Sequence, residues 1–138
     1  MRTYRQCAKA CPADRIHVAT DDERVAAVCR SNGIQVIETP GDCLTGTDRV
    51  AACLESLDVD VLVNVQGDEP VFEPDDLLAL LDAARENRDQ VLCGYCRITE
   101  EEQFWDRAVP KVVLRPDGRL LYMTRGAVPI GKSGRFVD

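Results

Sequence analysis

No stretch of this chain approaches the roughly 18 consecutive apolar residues of a membrane span. Met1–Ala10 carries charge where a signal peptide would place its apolar core. A cytoplasmic protein with no membrane partner is expected. Cationic charge is also short: 17 Lys and Arg stand against 24 Asp and Glu, a formal net charge of −7 with a pI near 4.7. That balance argues against a general nucleic-acid or anionic-membrane surface, which needs clustered Lys and Arg to neutralise phosphates. It leaves room for a small anionic ligand, whose charge a metal ion and a few placed cations offset locally. The single histidine, His17, lies mid-strand in an apolar run and reads as a packed core residue rather than a base or ligand. Internal repeats, low-complexity segments and linkers are missing too, so one domain over residues 1–138 is expected; 45% hydrophobic content suffices for one core.

The seven cysteines are odd in number and scattered through helix-like and strand-like segments, as suits reduced thiols acting as small buried hydrophobes. Cys93 and Cys96 have C-x-x-C spacing. In a strand, however, an odd separation sends them to opposite faces, and no second pair at zinc spacing exists.

The periodicities that are present describe an α/β chain. Arg2–Cys11 reads as helix and is limited by Pro12. Arg15–Ala19 is a short strand, after which Thr20 and Asp21 offer capping oxygens to a helix that Gly33 stops. Gln35–Glu38 is a second strand. A polar loop over Thr39–Thr47 then leads to a helix with Val50, Cys53, Leu54 and Leu57 at helical spacing. Val59–Val65 is apolar and β-branched enough for a central strand buried on both faces. Pro74 suits the first turn of a helix carrying Leu77, Leu78, Leu80 and Leu81. Val91–Ile98 reads as strand, Glu100 opens a short acidic helix, and Lys111–Leu114 pairs with Leu120–Met123 across Pro116-Asp117-Gly118. The tail from Gly131 has no periodicity and is expected to be loose.

Three segments carry candidate chemistry. In VNVQGDEP, Val63–Pro70, a hydrophobic strand delivers Asp68 and Glu69 to the carboxyl edge of the sheet, where ligands of open α/β folds bind. Gly67 permits close backbone approach, and Asp68 is suited to hold Mg²⁺, a hard cation that prefers carboxylate and phosphate oxygens. The competing reading is that Asp68 and Glu69 cap the next turn. In LTGTDR, Leu44–Arg49, a glycine-containing loop opens a helix and presents free backbone N–H groups and Arg49 to an anion or a base. Its competitor is ordinary capping by Thr47 or Asp48 beside an exposed Arg49. In YMTRG, Tyr122–Gly126, Arg125 can bind a carboxylate bidentately, against the alternative of a surface arginine after a hairpin.

Taken together with their order and separation, ATDDERVA (Ala19–Ala26), TGTDR, VNVQGDEP, PKVVL and YMTR resemble the 3-deoxy-manno-octulosonate (KDO) cytidylyltransferases over nearly the whole chain. The resemblance implies a Rossmann-like nucleotidyltransferase fold: a mostly parallel sheet with helices on both faces, plus the hairpin near the C-terminus. It also implies a homodimer, Mg²⁺ as cofactor, and a step in lipopolysaccharide precursor synthesis in which CMP passes from CTP to a KDO-like sugar acid with release of pyrophosphate. By the same resemblance Asp68 is the magnesium-binding catalytic aspartate and Gln66 lines the cytosine pocket. Thr45, Gly46, Thr47 and Gly67 belong to the nucleotide-binding segments, Arg49 helps hold the base, and Arg125 lies on the sugar-acid side. Lys111 matches a family lysine.

The chain departs from the family in three places. The opening phosphate-gripping Arg/Lys loop and the C-terminal part with a second metal-binding aspartate are not in this sequence, so truncation at both ends is expected. Trp105–Ala108, followed by Pro110, replaces an Asn-Pro-Asn-like stretch that bears on the sugar. Two alternatives stay open: a catalytically inactive fragment that only folds and associates, and a related nucleotidyltransferase for another sugar acid.

Overall fold

The computed structural model describes residues 1–134 and 136, and the chain gathers into two compact units, Met1–Cys93 and Gly94–Asp138. It is α/β, with a parallel sheet in the first unit and an antiparallel hairpin in the second.

In the first unit α1 (Arg2–Ala10) is followed by a 3₁₀ turn at Ala13–Arg15. Strand β1 (His17–Thr20), helix α2 (Glu23–Ser31) and strand β2 (Gln35–Glu38) come next. The strands run parallel in the register His17↔Gln35, Val18↔Val36, Ala19↔Ile37 and Thr20↔Glu38, and α2 packs on both. Helix α3 (Gly46–Ala52) continues as a 3₁₀ turn to Ser56, and α4 (Pro74–Glu86) starts with its proline at the first position and lies against α1.

The cap of α2 differs from expectation by one residue. Asp22, not Thr20 or Asp21, accepts the Arg24 amide at 2.8 Å, while the Thr20 hydroxyl accepts the Asp22 amide at 3.1 Å. The helix ends as foreseen at Gly33. Its φ of +69° lies in the left-handed region that glycine adopts without penalty, and the Ile34 amide folds back onto the Cys29 carbonyl at 3.0 Å.

Cysteine is prominent in the core. Cys7, Cys29 and Cys53 are buried with Ala26, Ile34 and Leu77, the role expected of reduced thiols. Burial pushes the Cys7 and Cys53 thiols up, with neighbouring Cys11 and Cys43 adding to it, so both stay protonated and act as small apolar groups.

The two other expected strands do not form. Val59–Val65 and Val91–Ile98 carry no strand assignment. Val59–Val65 makes no backbone–backbone hydrogen bond among the described residues, and Val59, Val61 and Leu62 are exposed. A run of β-branched residues becomes a strand only when a neighbouring edge accepts its N–H and C=O groups. Among the described residues β1 pairs with β2 alone, so the parallel sheet described is two strands wide. Around Gly94, Val91 is fully exposed and Tyr95 is 68% exposed, while Leu92 and Ile98 are half-buried. With no strand there, opposite faces do not decide the fate of Cys93 and Cys96. Among the described residues no group of three or more His, Cys, Asp or Glu is placed to hold a metal ion.

In the second unit α5 (Glu101–Trp105) buries Phe104, which meets Trp105 edge-on at 5.0 Å and Phe136 at 5.2 Å. Strands β3 (Lys111–Leu114) and β4 (Leu120–Thr124) form the expected hairpin. Gly118, at φ +82°, donates its amide to the Arg115 carbonyl at the turn, and a bulge lies between Val113 and Leu114. Part of the tail expected to be loose, Arg135, Val137 and Asp138, lies outside the described residues.

The α2 cap gives a pH signature. The Arg24 side chain hydrogen-bonded to Asp22, reinforced by the Arg24 amide, lowers the Asp22 carboxyl from 3.8 to about 2. Because the folded pKa is the lower one, the stabilisation is complete above the unfolded value and is lost as pH falls from about 4 through about 2. Side-chain NMR titration should place the Asp22 midpoint near 2. Asp22→Asn should flatten the acid limb of stability across that window; an unchanged limb would separate the cap from acid unfolding.

Candidate functional site

A trough of about 1390 Å³ in the first unit is bordered by β1 on one side and Val59–Val65 on the other. Gly46, Arg49, Gln66, Gly67 and Asp68 all line it. Residues of two segments distant in sequence, TGTDR and VNVQGDEP, therefore line the same trough.

The QGD turn closes through the Glu69 amide, which donates to the Gln66 carbonyl at 3.2 Å. Helix α1 holds it: the Thr3 hydroxyl donates to the Gly67 carbonyl at 2.9 Å, and the Gln6 amide group donates to the Phe72 carbonyl at 2.8 Å. Asp68 is exposed and makes no hydrogen bond or ion pair among the described residues. The capping alternative for Asp68 has no bond to support it. A carboxylate with all its lone pairs available fits a Mg²⁺ ion whose other ligands are waters and phosphate oxygens, because Mg²⁺ is commonly held through only one or two carboxylates.

The start of α3 is a capping box. Thr45 Oγ1 accepts the Asp48 amide at 3.1 Å, and the Asp48 carboxylate accepts both the Thr45 amide at 2.9 Å and the Thr45 hydroxyl at 2.7 Å. Capping is therefore real at this loop, but by Thr45 rather than by Thr47. Thr45 and Thr47 are exposed and lie off the trough lining, whereas Gly46 reaches it with open space at its Cα.

Arg49 is not the exposed arginine of the capping alternative. Its side chain is 21% exposed, and Nη1 stands 3.0 Å from Asp21 Oδ1 and donates to Thr39 Oγ1 at 2.6 Å. Sequence reasoning missed three supporting residues: Thr3, Asp21 and Thr39. Only Asp21 carried a signal, in ATDDER, where it read as a helix cap.

Within the second unit Arg125 is exposed, and its Nη1 donates to the Arg107 and Ala108 carbonyls at 3.0 and 3.1 Å. It thereby braces the Trp105–Ala108 stretch. Lys111 is buried, with its ammonium donating to the Asp106 carbonyl, a structural engagement.

A family profile described as Cytidylyltransferase matches residues 2–135, nearly the full chain. The chain belongs to the cytidylyltransferase family. Among its relatives are the "3-deoxy-manno-octulosonate cytidylyltransferase, mitochondrial" of Arabidopsis thaliana, 38% identical over 136 residues, and the 3-deoxy-manno-octulosonate cytidylyltransferase of Acidobacterium capsulatum, 39% identical over 126. The alignments take in 97% and 91% of this chain but 47% and 51% of those proteins. A solved CMP:2-keto-3-deoxy-manno-octonic acid synthetase in complex with CTP superposes with a TM-score of 0.85 at 27% identity, over 95% of this chain and 54% of that one. The chain thus spans about half the length of the cytidylyltransferases it matches. The Rossmann-like fold foreseen from the motifs is shared with that synthetase.

The capping box should contribute measurably to stability. Thr45→Ala should lower the unfolding free energy by about 1 kcal/mol in urea titrations. Adding Asp48→Ala should cost little more, because the two residues act as one motif. A Thr45→Ala variant with an unchanged urea midpoint would take the residue out of the cap.

Proposed function

We propose that this chain carries the CTP-binding half of a cytidylyltransferase that joins CMP to a KDO-like sugar acid, releasing pyrophosphate. The observation that carries the proposal is the meeting of Gly46, Arg49, Gln66, Gly67 and Asp68 along one trough, in a family whose members include a CTP-complexed synthetase. Gln66 and Arg49 would take the cytosine, the exposed backbone of Gly46 and Gly67 would allow close approach, and Asp68 would hold Mg²⁺ together with phosphate oxygens. A bound Mg²⁺ supplies screening of the charge that builds as the phosphate bond breaks. The anomeric hydroxyl oxygen attacks the α-phosphorus and loses its proton, the bond to the β-phosphate oxygen breaks, and pyrophosphate leaves. Asp68 would contribute to that displacement by holding the Mg²⁺ ion, because a carboxylate by itself repels phosphate oxygens. Arg125, whose Nε and Nη2 make no hydrogen bond among the described residues, is assigned to the sugar carboxylate.

A homodimer, a cytoplasmic setting and a place in lipopolysaccharide precursor synthesis belong to the same proposal. No helix among the described residues is long and apolar enough to cross a membrane. A second reading, a non-catalytic association unit, is favoured by one observation: the unpaired, exposed apolar residues of Val59–Val65.

The test is pyrophosphate release by the 138-residue chain with CTP, KDO and Mg²⁺, beside Asp68→Ala. Release that requires all three components and falls at least about a hundredfold in the variant is the expected result. A folded chain that releases nothing yet sediments as an oligomer selects the association reading. Release that is unaffected by Asp68→Ala removes Asp68 from the mechanism.

A further inference from the structure

Arg49 is held from two directions before any ligand arrives. Asp21 is the first residue beyond β1 and Thr39 the first beyond β2, so the parallel register sets their two side chains beside one another at the same sheet edge. Their backbones are tied where the Thr39 amide donates to the Thr20 carbonyl at 3.1 Å. Thr39 is buried and accepts from Arg49 Nη1 at 2.6 Å; Asp21 Oδ1 ion-pairs with the same nitrogen at 3.0 Å. The Asp21 carboxylate passes close to Gly41, where a Cβ would stand 3.6 Å from Asp21 Oδ2, in ordinary van der Waals contact. Nη1 is thus engaged, and no hydrogen bond from Nε or Nη2 is made to the described residues.

An arginine fixed in this way differs from a flexible one in two respects. Its rotamer freedom is already reduced, so less is lost when a ligand binds. Its charge is also partly offset by Asp21, which suits it to directional hydrogen bonds from the remaining donors rather than to diffuse attraction of a polyanion.

We propose that Asp21 is a positioning residue for the nucleotide: it acts through Arg49, orienting the guanidinium so that the remaining donors meet the ligand in the trough. The inference rests on the CTP-binding reading above and names how that site is organised. It separates Asp21 from its neighbour Asp22, whose carboxylate caps α2 and pairs with Arg24 instead of Arg49.

The experiment is a double-mutant cycle on CTP affinity, measured by calorimetry on the 138-residue chain with Mg²⁺, with the urea midpoint recorded for every variant. Asp21→Asn should weaken CTP binding roughly tenfold, Arg49→Met by at least as much, and the double variant no more than Arg49→Met alone. A merely structural role predicts instead that affinity tracks the urea midpoint and that the two effects multiply; that result overturns the proposal. Should Asp21→Asn unfold, Asp21→Glu carries the test, because it keeps the charge and displaces it by one methylene. Weakened binding that disappears as an effect in the Arg49→Met background supports the proposal, and unchanged binding overturns it. Failure of the unmutated, folded chain to bind CTP at all overturns the nucleotide reading and this inference with it. Binding with multiplying effects overturns this inference alone.

Discussion

The parallel register between β1 and β2 is the constraint on which the site depends. With Thr20 opposite Glu38, the residues that follow each strand, Asp21 and Thr39, come out at one edge and close on a single nitrogen of Arg49. A slip of one residue would turn every strand side chain to the opposite face and part those two ligands of Arg49. Helix α3 is docked by that same arginine, so its orientation depends on the strand pairing as much as on its own capping box. The second wall of the trough is set independently, by α1 gripping the QGD turn through Thr3 and the following loop through Gln6.

Much of this was legible in the sequence because it depends on local chemistry. Gly33 ends a helix because its backbone must turn left-handed, Pro74 opens one because it has no amide to lose, and the Pro-Asp-Gly turn closes a hairpin; each needs only a few adjacent residues. The two failures, Val59–Val65 and Val91–Ile98, are the elements that require a partner. Propensity alone does not say whether a run will engage a neighbouring edge, and among the described residues neither of these runs joins a ladder.

The candidate site divides the same way. Asp68 announced itself at the end of a hydrophobic run closing in Gly-Asp-Glu, whereas Gln66 was picked out only through the family resemblance. Arg49 was visible as a charge at a helix start, but its two supports were not. Asp21 lies 28 positions upstream and Thr39 lies 10 upstream, and only the folded register brings both to it. Arg125 and Lys111, both noted as family-matching positions, are found engaged with backbone carbonyls of one neighbouring stretch, Asp106–Ala108. That stretch is therefore held in place by two cations.

The thin core has a thermal consequence. Among the described residues no large side chain is fully buried, and three of the six buried apolar residues of the first unit are cysteines. Unfolding such a chain uncovers less new apolar surface than is usual for its length, and the heat-capacity increment of unfolding follows apolar exposure. A smaller heat-capacity increment bends the stability curve less, so stability should change more gently with temperature on either side of its maximum.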